Sequence, residues 1–85
     1  MSGQPTVGRI VHYTLNDGDV RAIDVAGRRH RNSVTAGDVY PAVVVRTFGG
    51  STCNLQVLLD GEGSYWATSR AEGDQPGNWA WPPRT

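Results

Sequence analysis

Two β-rich runs joined by a short glycine turn decide the fold of this chain: Leu55-Gln56-Val57-Leu58-Leu59, then Asp60-Gly61-Glu62-Gly63, then Ser64-Tyr65-Trp66-Ala67-Thr68-Ser69-Arg70. Valine, leucine and aromatic residues favour strands, and a compact turn containing Asp-Gly between two such runs is typical of a β-hairpin. We therefore predict that residues 55–59 and 64–70 form an antiparallel pair of strands.

Further β-rich runs lie before the hairpin. Residues 39–48 are dominated by valine and aromatic side chains, and Pro41 within them must lie at the start of the strand or on a sheet edge. Residues 7–15 alternate loosely and predict a first strand, after which Asn16-Asp17-Gly18-Asp19 is typical of a turn. Residues 20–26 predict at most one short helical turn, with Asp19 as its N-cap.

The chain ends in a strand signal bounded by prolines. Trp79-Ala80-Trp81 can pair as a short last strand, until Pro82-Pro83 prevent further ladder bonds. Four to five short strands with at most one helical turn predict an all-β fold, a small SH3-like antiparallel barrel. The expected core consists of Val7, Ile10, Val11, Val43, Val45, Leu55, Val57, Leu59, Trp66 and one of the closing tryptophans.

The length of 85 residues predicts a single domain over residues 1–85. Within it we expect a flexible N-terminus over residues 1–6, a surface loop over residues 27–37 and a C-terminal tail over residues 82–85. The single cysteine, Cys53, cannot form an internal disulfide and is expected to be a small strand residue. No apolar run approaches the length of a membrane span, and the N-terminus lacks the regions of a signal peptide, so we expect a soluble cytoplasmic protein.

The charged residues argue against two classes of partner. Eight basic and eight acidic side chains give a formal net charge of zero, so we expect no long nucleic acid and no membrane as partner. All eight basic residues are arginine, whose guanidinium group grips phosphate and stacks on flat rings. The bias of a GC-rich genome explains that usage at least as well.

The spacing of Trp79 and Trp81 in an extended segment places both indoles on the same face. Such a pair is either the plug of a small core or an aromatic shelf for a flat ligand. The sequence alone leaves both alternatives open.

Catalytic residues are not recognisable in this sequence. His12 falls in an alternating strand and His30 in an arginine-rich segment, and no spacing of histidine and cysteine suits zinc. Ser64, Thr68 and Ser69 have no neighbouring base in the sequence. We therefore predict that the protein is not an enzyme and uses neither a cofactor nor a metal.

Five blocks carry a resemblance to a family: residues 7–13, 40–46, 54–61, 65–70 and 76–82. In this order they resemble small, mostly uncharacterised β proteins of tailed phages and prophages that end in Gly-Thr-Trp-His-Trp-Pro. This chain has Asn78 where that ending has threonine and Ala80 where it has histidine. No role of that histidine can therefore be carried over, although Ala80 should point away from the tryptophan face.

The resemblance implies a phage-encoded protein acting in the cytoplasm of the infected bacterial host. Phages encode small proteins that sequester cyclic-nucleotide or ADP-ribose-like immune signals, and our leading hypothesis is such a nucleotide sponge, expected to be a homo-oligomer. The alternatives are a virion component, such as a capsid decoration or tail-associated protein, and an adaptor that binds a host protein. The predicted ligand-binding residues are Tyr13, Arg46, Asn54, Tyr65, Trp66, Ser69, Arg70, Trp79 and Trp81.

Overall fold

The computed structural model describes residues 3–26 and 30–83. The strands are β1 (Ile10–Thr14), β2 (Val39–Thr47), β3 (Cys53–Leu58), β4 (Ser64–Arg70) and β5 (Trp79–Ala80), and the helix α1 (Asp17–Val25) lies between β1 and β2 in the chain. All five strands form one antiparallel sheet in the order β4-β3-β2-β1-β5. The predicted all-β fold and the β3–β4 hairpin are confirmed.

The two edges of the sheet approach each other at one point. An isolated bridge between Glu72 and Trp79 joins the segment after β4 to β5. The fold is therefore barrel-like, but the sheet is not closed. Pro41 is the third residue of β2, the middle strand, and is paired with His12 of β1, so it lies neither at the strand's start nor on a sheet edge; the pairing with β3 begins only at the next residue, Ala42.

The start of α1 corrects the prediction for residues 16–19. The N-cap is Asn16, whose side-chain oxygen accepts from the backbone N–H of Asp19 at 2.7 Å, while the Asn16 N–H donates to the Asp19 carboxylate at 2.9 Å. This reciprocal pair is a capping box, so residues 17–19 open a helix instead of a turn, and Asp19 is its third residue. With nine residues, α1 is also longer than the single turn predicted.

The core fills the face of the sheet that α1 covers. Val11, Leu55 and Val57 are fully buried as predicted, and Trp79 is the buried closing tryptophan. Cys53 is a buried residue of β3, as expected. The prediction missed the other buried apolar residues, which are Tyr13, Leu15, Ile23, Val34, Ala42, Val44 and Ala67.

Several residues expected in the core lie outside it. In β2 the buried residues are Ala42 and Val44, so Val43 and Val45 point to the opposite face. Three consecutive valines carry no alternation, and a shift of one residue exchanges the two faces of a strand. Residues wrongly assigned to the core also include Val7, Ile10 and Trp66, all of which are exposed, whereas Leu59 packs at the core margin.

The predicted terminal and loop segments fall partly outside the described residues. Residues 1–2, 27–29 and 84–85 are not described, so the expectations for them are not addressed by the structure. Within the described parts, Pro5 is buried and Val34 reaches the core. The His30 carbonyl accepts from the Glu62 N–H, which ties the first part of the predicted loop to the β3–β4 turn.

Candidate functional site

The carboxylate of Asp19 is the polar centre of the interior. It is 1% exposed and accepts from the Tyr13 hydroxyl at 2.6 Å and the Tyr65 hydroxyl at 2.7 Å. Arg70 donates to it through Nη2 at 2.9 Å, and the Arg70 guanidinium also lies 5.6 Å from the centre of the Tyr13 ring. Three predicted ligand-binding residues are therefore brought together, but around a buried carboxylate of the same chain. We call this group the Asp19 cluster.

The Asp19 cluster holds its two tyrosines in the neutral form. Burial raises the pKa of Tyr13 far above its ordinary value, and the hydrogen bond to the Asp19 carboxylate raises it further. Burial and the same carboxylate also raise the pKa of Tyr65, whereas Arg70 lowers it. Both hydroxyls donate hydrogen bonds to the Asp19 carboxylate, so both resist ionisation.

The closing tryptophans divide between core and margin. Trp79 is fully buried, and its Nε1 donates to the carbonyl of Ser51 at 2.9 Å. Trp81 is half-buried and meets Trp79 edge to face, with ring centres 5.3 Å apart. The indoles do share a side of the chain, but Trp79 is the plug of the core and offers no surface to a ligand.

Asn54 and Ser69 are joined by a hydrogen bond between a side chain and the backbone of the sheet. Asn54 is buried, and its side-chain oxygen accepts from the Ser69 N–H at 2.7 Å. Ser69 has a φ of 56° opposite a register shift between Cys53 and Leu55. The pair thus stabilises a distortion at the end of the β3–β4 ladder, and the Asn54 oxygen is already engaged.

Trp66, Arg46 and Ser69 are the exposed residues of the predicted site, and of these Trp66 and Arg46 have no part in the distortion at Ser69. Trp66 is 56% exposed and lies on the face of β4 opposite to Tyr65. Arg46 is exposed near the end of β2, where its guanidinium lies 5.2 Å from the centre of the Phe48 ring. Neither residue belongs to the Asp19 cluster, so the predicted set does not form one site.

The face of the sheet turned away from the core carries a row of apolar residues that is interrupted by Gln56, whose side chain accepts from the Ser64 hydroxyl. The strand register places Ile10 opposite Val43, Val43 opposite Gln56 and Gln56 opposite Trp66, so the row crosses four strands. Ile10 is 48% and Leu58 43% exposed. We define the outer face as Ile10, Val43, Val45, Gln56, Leu58 and Trp66.

One concave region lies on the helix side of the sheet. Its space is about 50 Å³, enough for one or two water molecules, and it is lined by Ile23, Ala26, Arg31, Leu59, Gly63, Ser64 and Tyr65. Arg31 within it is already paired with Asp24 at 3.0 Å. Residues 3–26 and 30–83 hold no group of three potential metal ligands and no helix long and apolar enough to cross a membrane.

Sequence reasoning missed Asp19 as the organising residue. The available signal was the capping pair Asn16 and Asp19, which sets a carboxylate in the first turn of a helix that follows a strand. The sequence could not show which distant residues contact Asp19, since Tyr65 and Arg70 lie 46 and 51 residues away from it along the chain.

No protein-family model matches the chain, and comparisons with curated proteins and with solved structures find no significant match. The resemblance to small phage proteins therefore stays a prediction, as do the nucleotide ligand and the site of action in the bacterial cytoplasm.

Proposed function

We propose that this protein is a non-catalytic adaptor that binds a flat, apolar surface of another protein with its outer face. The observation that carries the proposal is the row Ile10–Val43–Gln56–Trp66, which crosses four paired strands and is exposed at its two ends, while Val43 and Gln56 are half-buried. A rigid sheet presents such a row without ordering a loop, so little conformational entropy is lost on binding.

The composition of the outer face supports this role. Its six residues include no charged side chain, its most exposed residue is Trp66, and the polar residues on the same side of the sheet include His12, Ser64 and Thr68. Centres of protein interfaces are depleted in charge and enriched in tryptophan. The solvent side of α1 is an ordinary charged surface by contrast, because Asp17, Arg21 and Asp24 are exposed there.

Two arginines suggest the charge of the partner. Arg9 and Arg46 lie at the same end of the sheet, since the Arg9 carbonyl accepts from the N–H of Val44, two residues before Arg46. Each guanidinium stacks on an aromatic ring, Trp81 at 4.9 Å and Phe48 at 5.2 Å, and among the described residues neither lies within ion-pair distance of a carboxylate. The expected partner surface is uncharged at its centre and acidic at one border.

The placement of the other aromatic residues favours an adaptor over a nucleotide sponge. Tyr13 and Trp79 are fully buried, while Tyr65 and Arg70 are engaged by Asp19. Pockets for small ligands usually enclose about 300–1,000 Å³, and the described concavity offers about 50 Å³. An open sheet face without enclosing walls suits a protein surface better than a single nucleotide.

The test is a selection of binders from displayed protein fragments of the source genome, followed by calorimetric titration. We expect Val45→Asp to abolish binding of the selected fragment, because it places a charge on the outer face. Val25→Asp is the matched control, since this exposed valine of α1 lies outside the outer face. Equal affinity of the two variants would refute the proposal, as would a thermal shift with a cyclic nucleotide that both variants retain.

A further inference from the structure

Among the residues that the structure describes, strand β4 has a backbone partner on one side only. It pairs with β3 along its length and stands at the end of the strand order. Within residues 3–26 and 30–83, the bridge of Glu72 with Trp79 begins only after β4 has ended. An unpaired strand edge is a template for another strand.

The hydrogen-bond pattern between β3 and β4 identifies the backbone groups of β4 that point away from the sheet. The Leu59 N–H donates to the Gly63 carbonyl, and hydrogen-bonded pairs alternate along an antiparallel ladder. Tyr65 and Ala67 therefore direct their N–H and C=O groups toward β3, and Ser64, Trp66 and Thr68 direct theirs away from the sheet. These three residues are all exposed.

The usual protections of an edge are missing over residues 64–68. Natural edges carry charged side chains, proline or bulges that prevent pairing with another chain. Residues 64–68 contain no charged residue and no proline, and the distortion at Ser69 lies just beyond them. Among the described residues, the free edge is therefore five residues long, from Ser64 to Thr68.

This edge is complementary to itself. A two-fold axis at Trp66 places Ser64 of each copy opposite Thr68 of the other, and the two Trp66 residues opposite each other. Hydroxyl pairs and aromatic pairs are both favourable across antiparallel strands. All three outward-directed backbone pairs are then satisfied, and net charge near zero leaves no overall repulsion.

We propose that a second copy of the chain occupies the β4 edge, forming a two-fold symmetric dimer with one continuous sheet. The assembly has ten strands, five from each copy, and the two outer faces lie side by side. One chain has one outer face, whereas the dimer has two and is therefore bivalent if the outer face binds a partner as proposed above. Two linked faces bind a repeating partner more tightly than either face alone.

Sedimentation at graded concentrations tests the dimer directly. The wild type is expected to shift from one-chain to two-chain mass as its concentration rises. Thr68→Pro removes an outward N–H without breaking the β3 ladder, so the two-chain species should be lost while the fold remains. The matched control Thr68→Val keeps the N–H and should still dimerise. A one-chain mass at every concentration would overturn the proposal.

Cross-linking tests the register. In Trp66→Cys, the two new cysteines face each other across the axis. Their Cα atoms are about 5.5 Å apart, a separation that a disulfide can span. In Ser64→Cys they are separated by about 14 Å along the strands and should not cross-link. Both variants keep the buried Cys53. Oxidised dimers are expected for Trp66→Cys alone, and equal cross-linking of the two variants would contradict the proposed axis.

Discussion

The Asp19 cluster offers the sharpest test of how this fold is held together, through the variant Asp19→Ala. The substitution leaves the Tyr13 hydroxyl, the Tyr65 hydroxyl and Arg70 without their shared acceptor. It also removes half of the capping box of α1. One side chain thus joins the helix to β1 and β4, and its loss should be felt in all three elements.

The expected loss of stability in Asp19→Ala follows from the burial of the groups that lose their acceptor. A buried donor left without an acceptor costs about 1–3 kcal/mol, and that cost applies in full to the Tyr13 hydroxyl. Breaking a fully buried ion pair costs about 3–5 kcal/mol, but Arg70 is 23% exposed, so water replaces part of what it loses. We expect Asp19→Ala to lower the free energy of unfolding by about 3–5 kcal/mol in total. A domain of 85 residues has about 4–13 kcal/mol available.

The assay is equilibrium unfolding in urea, followed by tryptophan fluorescence. Asp17→Ala is the matched control, because Asp17 lies in the same helical turn but is exposed, and it should cost less than about 1 kcal/mol. Adding Arg70→Ala to Asp19→Ala should cost less than Arg70→Ala alone, because the two groups are coupled. Equal midpoints for Asp19→Ala and Asp17→Ala would refute the reasoning.

Three further predictions concern tyrosine ionisation, the tryptophans and the β3–β4 turn. Because the pKa values of Tyr13 and Tyr65 are raised in the folded protein, these tyrosines ionise first in the unfolded state. Their contribution to stability should be constant at neutral pH and fall as the pH rises above the ordinary tyrosine value of 10.0. Urea midpoints measured against pH should show this fall, and Tyr13→Phe should weaken it. Trp79→Ala should cost about 3–5 kcal/mol in thermal or urea unfolding, whereas Trp66→Ala, on the surface, should cost less than about 1 kcal/mol; similar losses would contradict their assignment to core and surface. Gly61→Ala should destabilise the protein more than Gly3→Ala, because φ is 154° at Gly61 and an added Cβ would overlap the backbone of His30 and Arg31, whereas nothing lies within 4 Å of a Cβ added at Gly3. Unchanged hydrogen exchange at the Asn32 N–H in Gly61→Ala would contradict this.

The local part of the fold was predictable, because its signals lie within a few residues. The β3–β4 hairpin follows from two β-rich runs around an Asp-Gly turn, and Ser64–Arg70 has the predicted bounds. The first turn of α1 was misjudged because Asn16, Asp17, Gly18 and Asp19 are equally good residues for a turn and for a helix start.

The faces of the strands and the partners of the polar residues were much less predictable. Val43, Val44 and Val45 are chemically equivalent, and only the pairing of Val44 with Leu55 determines which of them is buried. Tyr65 and Arg70 were expected to face a ligand, because nothing near them in the sequence reveals the Asp19 carboxylate. Aromatic residues favour strands whether they are buried or exposed, so the sequence pattern could not distinguish the buried Tyr13 from the exposed Trp66.

The most direct measurement of the central claim is a two-dimensional ¹H–¹⁵N NMR titration of the labelled protein with its selected binding fragment. We expect the largest shifts on the outer face, at Ile10, Val43, Val45, Leu58 and the Trp66 indole, while the Trp79 indole signal stays in place. Shifts centred instead on Ile23, Leu59 and Tyr65, around the concavity beside α1, would contradict the claim that the outer face is the binding surface.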